Sequence, residues 1–463
     1  IVAFRRTMKA LILILAMSFT LHAQDYVTSP IDSSRLIVKL KKGAKIPQSN
    51  LALSAKKLFG SYVIYRTKNI DALKQDLESL SQVESVAYNF RWSKKQWPKV
   101  SKISQSFSGG TPVKNENLND PMISQLWGLG LETQGVNLFT HLDYVKQNNV
   151  QKTKVLVAVV DTGVDVRHPD LAGKIWINKN EVPGNNIDDD QNGYVDDIHG
   201  IDTLTRDSQG RATAHLRDGH GHGTHVSGTI AAVQNNNIGI AGVSSHAEII
   251  AIRTVPANGD ETDIDVAESF IYAAKMGARV INCSFGKNAE ENPGLVKDAI
   301  DEILKINETL VVASAGNDTQ NIDISFKYPA SLPNANLIVI NAIRNGGSLS
   351  SFSNFGVKNT DIAAPGSGIL SLNPNNRYAT WDGTSMASPH ITGVAAEILS
   401  IYPDLTAAEL KSVLLKSAKK QPGLNGRSVT GGSVDVDLAR KAAQAISDRR
   451  IGSIHGFQTS RSY

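Results

Sequence analysis

Four short strings hold the residues of this 463-residue chain that could do chemistry. Gly383-Thr384-Ser385-Met386-Ala387-Ser388-Pro389-His390 sets a serine at the start of a run, Ile391, Val394, Ala395, Ile398 and Leu399, that is apolar at helical spacing. A serine there can be a helix cap that satisfies the end N–H groups. It can equally be a nucleophile whose developing oxyanion faces those groups. Gly219-His220-Gly221-His222-Gly223-Thr224-His225 offers His222 between glycines at the entrance to a second helix, as a turn histidine or as a base able to approach a neighbour closely. Val159-Val160-Asp161-Thr162-Gly163 ends an apolar strand on Asp161, a turn aspartate or a buried acid in need of partners. Ala313-Ser314-Ala315-Gly316-Asn317 puts an amide after a strand, as a turn residue or as an oxyanion donor. Asp161, His222 and Ser385, each at the end of an element, have the residue types of orienting acid, general base and nucleophile.

The elements that must position them alternate. Apolar runs at 154–160, 247–252, 280–284, 309–313 and 337–340 read as strands buried on both faces. Helical patterns fall at 263–276, 293–306 and 407–418. The expectation for 120–446 is a doubly wound, mainly parallel α/β sheet flanked by helices, with sites at the carboxyl ends of strands. Hydrophobic residues at 41%, charged residues at 20% and a formal charge of +4 describe an ordinary globular protein and make no case for nucleic acid. Cys283 is the single cysteine, so no intramolecular disulfide forms, and in an exported protein bound metal becomes a candidate staple.

Upstream, Met8-Lys9, the apolar run 10–17 and Ala23 predict a secretory signal peptide over 1–23, with 1–7 an upstream extension of the start. No other stretch suits a membrane span. Residues 33–93 predict a small α+β unit: a strand at 35–40, a helix at 70–80 and a strand at 83–88. About 60 residues is a marginal core, so this unit is expected to pack on a partner surface. Residues 94–119, rich in Ser, Lys, Gly and Asn, predict a cleavable linker. Residues 447–463 predict a polar, basic tail.

VAVVDTGVDVRHPDL around Asp161, HGTHVSGTIAA from His222, VINCSFG ending at Gly286, SAGN ending at Asn317 and GTSMASPH around Ser385 occur in the order of the subtilisin-like serine peptidases, and the chain resembles that subtilase family over essentially all of 120–446. The resemblance implies a secreted serine endopeptidase acting through an acyl-enzyme, with Asp161 as orienting acid, His222 as base, Ser385 as nucleophile and Asn317 in the oxyanion hole. It implies that Ser284, Phe285 and Gly286 pair with the substrate backbone and that Ser314, Ala315 and Gly316 line the facing wall of the primary pocket. Residues 33–93 are similar to the family's propeptide, an intramolecular inhibitor and folding chaperone, and the mature start falls in roughly 95–120. Polypeptide substrates, this propeptide and a monomeric state are the partner expectations. A non-catalytic subtilase-fold peptide binder or scaffold is the alternative; it would lack a triad member.

Asp188-Asp189-Asp190-Gln191-Asn192-Gly193 opens like a calcium loop, with Asp188, Asp190 and Asn192 as ligands and Asp196 or Asp197 in place of a terminal Glu. So many like charges in ten residues repel without a cation. By resemblance, Asp170 and the Asn235-Asn236-Asn237 loop occupy a second family calcium position. The expected cofactor is structural calcium. Zinc on His220, His222 and His225 lacks the HExxH helix, and a lone Asp-Thr-Gly lacks the second carboxylate of an aspartic peptidase.

Overall fold

The computed structural model describes residues 31–91, 117–132, 134–258, 261–288 and 294–459, with backbone alone from 451 onward. The expected signal segment and most of the expected linker lie outside the described residues.

The N-terminal unit is an antiparallel sheet of β1 (Ile31–Leu40), β2 (Ala52–Phe59), β3 (Tyr62–Thr67) and β4 (Val83–Phe90), ordered β2-β3-β1-β4, with α1 (Ile70–Glu78) on one face. Strand alternation sorts its residues. Leu36, Val38, Leu40, Val63 and Tyr65 pack with Leu73 and Leu77 of α1. Ile37, Tyr62 and Ile64 point the other way and join a core of the larger unit. The strands β2 and β3 were not expected from the sequence. Most of β2 is exposed, so it carries no alternation.

The larger unit runs through α2 (Leu138–Gln147), β5 (Val155–Asp161), β6 (Gly200–Arg206), β7 (Ala212–Thr213), α3 (His222–Ala231), β8 (Ala247–Arg253), α4 (Asp263–Lys275), β9 (Val280–Cys283), β10 (Lys287–Asn288) and α5 (Gly294–Asn307). It continues with β11 (Leu310–Ser314), β12 (Lys327–Tyr328), β13 (Leu337–Ile343), β14 (Ile362–Pro365), the hairpin β15 (Ile369–Asn373) and β16 (Arg377–Trp381), and α6 (Thr384–Ile401). It closes with α7 (Ala407–Lys416), β17 (Lys419–Lys420), β18 (Gly432–Ser433) and α8 (Val436–Thr459). Ten strands make one sheet, ordered β17-β18-β14-β13-β11-β9-β5-β8-β6-β7, parallel except for β17–β18 and β6–β7 at its edges. Within β5, Val157 and Val159 face the core built with α3 and α6, while Ala158 and Val160 face the one built with α4 and α5. The strand order turns at β5, with β8 and β6 on one side and β9, β11 and β13 on the other. Crevices form at the carboxyl ends of such strands.

The boundary drawn at 446 falls inside α8. That helix seats Ala439 and Ala443 in the core and lays the Arg440 guanidinium 3.4 Å from the Tyr144 ring centre. Small apolar residues among charges hid it in the sequence. No helix among the described residues is long and apolar enough to cross a membrane.

The two units meet at the N-terminal ends of α4 and α5. Arg35 donates to both oxygens of buried Asp265, at 2.7 and 3.1 Å. Asn89 Oδ1 accepts from the Ile264 N–H at 3.2 Å, in the first turn of α4. Lys39 and Tyr62 both reach Asp298 of α5, at 3.1 and 2.8 Å. Arg91, just past β4, pairs antiparallel with Thr262.

Candidate active site

Asp161 sits at the carboxyl end of β5 and is 1% exposed. A buried carboxylate is costly unless hydrogen-bonded. Its Oδ1 accepts from the Thr162 N–H and contacts His222 Nδ1, each at 2.7 Å. An ionised carboxylate only accepts, so Nδ1 carries a proton, and the lone pair of the neutral ring is on Nε2. His222 opens α3, after Gly221 at φ 100°. A Cβ on Gly223 would lie 2.0 Å from Gly163 O and 3.1 Å from Asp161 Cβ, so only glycine lets the helix start approach the strand end this closely.

Asp218, which the sequence did not single out, fastens that approach. It accepts from Thr162 Oγ1 on one side (2.8 Å), and on the other from the Gly221 N–H (2.7 Å), the Thr224 N–H (2.9 Å) and Thr224 Oγ1 (2.7 Å). Trp381 was missed too. Its buried ring lies 5.7 Å from that of His222 and stacks on His225 at 5.1 Å. His225 Nε2 lies 3.1 Å from both Ile369 O and Ala379 O, tying α3 to the β15–β16 hairpin that leads into α6. Burial, helped by neighbouring His222, pulls the His225 imidazole down to about 3, so it is neutral and donates. The hairpin register that brings Trp381 opposite Ile369 is a long-range closure without a short sequence signal.

Ser385 is the second residue of α6, and Gly383 is the N-cap, so Ser385 is not itself the cap. Its N–H lies in the first turn, where backbone donors have no intrahelical acceptor. Its Oγ donates to Ser284 O at 2.9 Å, and Ser284 Oγ donates back to Ser385 O at 3.0 Å. That carbonyl is available because the residue four further on is Pro389, which has no N–H to give it. The α3 and α6 helices pack against each other on the same face of the sheet.

Asn317 follows β11. Its Oδ1 accepts from the Thr384 N–H and from Thr384 Oγ1, both at 2.9 Å. Because the backbone N–H can only donate, the amide orientation is set, and Nδ2 is the end turned away from Thr384. Gly316 holds φ 98°, and its N–H donates to Thr384 Oγ1 at 3.1 Å. Ser314 and Ala315 are buried beside it. Phe285 turns its ring into the core of the α4–α5 face, so the 284–286 segment keeps backbone, not side chain, at its open edge.

The expected metal residues separate into two places. Asp188 and Asp190 converge with Glu181, which the sequence reading missed, with ligand oxygens within 4.8 Å of one another. Asp188 Oδ1 is buried without a hydrogen-bond partner among the described residues. Asn192 turns its Nδ2 toward Asp190 and Asp197 and engages its Oδ1 with the Tyr194 N–H at 2.9 Å. Asp196 closes the 184–186 turn, accepting from Gly184 and Asn186 at 2.7 and 3.1 Å. Asp170 belongs elsewhere. It is fully buried, accepting from Asn236 Nδ2 (2.8 Å), the Ile240 N–H (3.0 Å) and Tyr378 OH (3.3 Å), and burial pushes its carboxyl up.

Known proteins resemble this arrangement. A sequence model of the subtilase family matches residues 152–452. Thermitase of Thermoactinomyces vulgaris is 36% identical over 269 residues, covering 58% of this chain and 82% of thermitase. Subtilisin-like protease 1 of Plasmodium vivax is 32% identical over 351 residues, 71% of this chain and 53% of that protein. Fervidolysin from Fervidobacterium pennivorans shares the fold, with a TM-score of 0.67 at 23% identity over 90% of this chain and 62% of that one. The chain spans between 47% and 66% of the length of the Plasmodium relatives it matches. It belongs to the subtilase family, and its largely parallel sheet between helices is the subtilisin-like α/β architecture expected from the sequence.

Proposed function

We propose that the chain is a secreted serine endopeptidase, made as a precursor in which residues 31–91 inhibit the larger unit. The observation that carries this reading is the buried 2.7 Å contact between Asp161 Oδ1 and His222 Nδ1, on elements packed against the helix whose first turn holds Ser385. In the reaction Ser385 Oγ leaves Ser284 O, turns to His222 Nε2 and attacks the scissile carbonyl carbon as its proton passes to the imidazole. Asp161 stays ionised and stabilises the imidazolium. The tetrahedral oxyanion sits between Asn317 Nδ2 and the Ser385 N–H. His222 then protonates the departing amine, and water releases the acyl group by the same steps. The 284–286 edge offers main-chain pairing to a polypeptide, with Ser314, Ala315 and Gly316 as the facing wall. Small residues and no carboxylate on these walls suit an uncharged side chain.

Maturation is a cut in 94–119. Glu181, Asp188 and Asp190 are hard oxygen donors that fit calcium, and the partnerless Asp188 oxygen is the group a cation would satisfy. Bound there, calcium supplies charge compensation and a tie across the 181–190 loop.

A fluorophosphonate probe tests the reading. It is expected to label Ser385, to fail on Ser385→Ala and to label His222→Ala weakly. A processed protein without adduct at Ser385 would favour the peptide-binding scaffold instead.

A further inference from the structure

We propose that the seam between the two units holds a site for a small, multiply charged oxyanion of the phosphate or sulfate type. A cavity of about 210 Å³ lies between the sheet of the N-terminal unit, the β6–β7 turn and α4. It is smaller than the roughly 300–1,000 Å³ of a drug-sized ligand site and suits a compact ion with its water. Six cationic side chains line it, against the carboxylates of Asp32 and Glu268.

Two of the cations are already matched. Arg35 bonds Asp32 and Asp265, and Arg206 bonds Asp265 and Glu268. The other four, Lys56, Lys57, Arg66 and Arg91, make no ion pair among the described residues; Lys56 lies over the Tyr194 ring. Two of these four are held at the seam. A Cβ on Gly210 would lie 2.8 Å from Arg66 Nη1, so this guanidinium from one unit rests against the backbone turn of the other. The Arg91 backbone is tied to the larger unit by its antiparallel bridge to Thr262, which brings its side chain to the cavity.

Cations gathered at a seam oppose its closure. An anion between them removes that repulsion and adds charge-assisted bonds to each unit. The class follows from the donors: guanidinium forks match the paired oxygens of phosphate or sulfate. A ligand that needs both units binds only the joined chain and stabilises it by mass action. The inference rests on the seam, not on the peptidase reading.

The test uses the full chain with Ser385→Ala, which keeps the units joined if maturation is autocatalytic; gel analysis verifies that the chain is intact. Thermal unfolding is followed in low-millimolar sodium sulfate or sodium phosphate, against sodium chloride of equal ionic strength. At that concentration general exclusion of the ion from the surface is small. One or both oxyanions should raise the midpoint by several degrees beyond chloride, and the comparison assigns the preferred ion. Arg66→Gln/Arg91→Gln should lose the difference while unfolding normally in chloride. Lys41→Gln/Lys42→Gln removes two charges outside the cavity and should keep it. Lys57→Gln alone should weaken the preferred ion at least threefold by isothermal titration. No shift beyond chloride, or an equal shift in the Arg66/Arg91 variant, overturns the site.

Discussion

Replacing Arg35 by Ala should loosen the hold of residues 31–91 on the larger unit by one to two orders of magnitude. Arg35 reaches across the seam with three hydrogen bonds, two to Asp265 and one to Thr262 Oγ1 at 3.3 Å. Removing one partner of a buried ion pair costs about 3–5 kcal/mol when the other charge is stranded. Here Asp265 is not stranded, since Arg206 Nη2 still donates to it at 2.7 Å. The expected loss therefore falls to about 2–3 kcal/mol, or about 30- to 150-fold in the dissociation constant. Burial alone would raise the Asp265 carboxyl, but Arg35 and Arg206 outweigh it and hold it near about 2, against an ordinary 3.8. Its contribution is thus complete above about 3.8 and disappears only as pH falls toward about 2. The seam should not release between pH 4 and 8 through this group. The assay is the lag before substrate cleavage after the linker is cut, in wild type, Arg35→Ala, Asp265→Ala and the double variant. A lag unchanged in Arg35→Ala, or single effects that simply add, would refute the reasoning.

Three other outcomes are expected. Gly223→Ala must push the start of α3 off Gly163 O, and misplacement on that scale should cost about 100-fold in turnover with circular dichroism unchanged; activity within threefold of wild type would contradict this. His225 and His390 are lowered by burial to about 3 and about 4 from 6.5. Both bind protons on unfolding, so stability is complete above pH 6.5 and falls below it. Each should cost roughly 2 kcal/mol by pH 5, checked by denaturant titration at both pH values and by imidazole NMR showing both rings still neutral at pH 5. A calcium chelator should lower the unfolding midpoint by about 5 °C if calcium stood well above its dissociation constant. Glu181→Gln should blunt that response, and an equal response would remove Glu181 from the site.

Asp161, His222, Asn317 and Ser385 could be found in the sequence because each position makes a local backbone demand that leaves a mark. A strand must end, Gly223 must lack a Cβ, and Pro389 must free one carbonyl. The buried strands showed for the same reason: two-sided burial leaves uninterrupted apolar runs. Residues gathered by long-range closure left no such mark. Asp218 looks like any loop aspartate until its five donors arrive from both sides. Glu181 stands seven residues before Asp188 and joins it across a stretch in which Gly184 and Asn186 both hold positive φ, 76° and 59°. Asp196 was expected beside Asp188 by spacing, but its own positive φ of 53° accompanies a side chain that closes the 184–186 turn.

The first turn of α4 has a consequence measured in time. Its own Thr262 caps the Asp265 N–H, while the next donor, on Ile264, is satisfied by Asn89 of the other unit. If 31–91 leaves, that donor and Asp265 lose partners that a refolding chain would have to do without. The core built with α3 and α6 stays whole, while the one built with α4 and α5 gives up Ile37, Phe59, Tyr62 and Ile64; unfolding must still break both. If the first turn of α4 is already formed in the folding transition state, removal slows folding more than it speeds unfolding. The separated unit would persist because its exit barrier is high, and its useful measure is a half-life, not a midpoint.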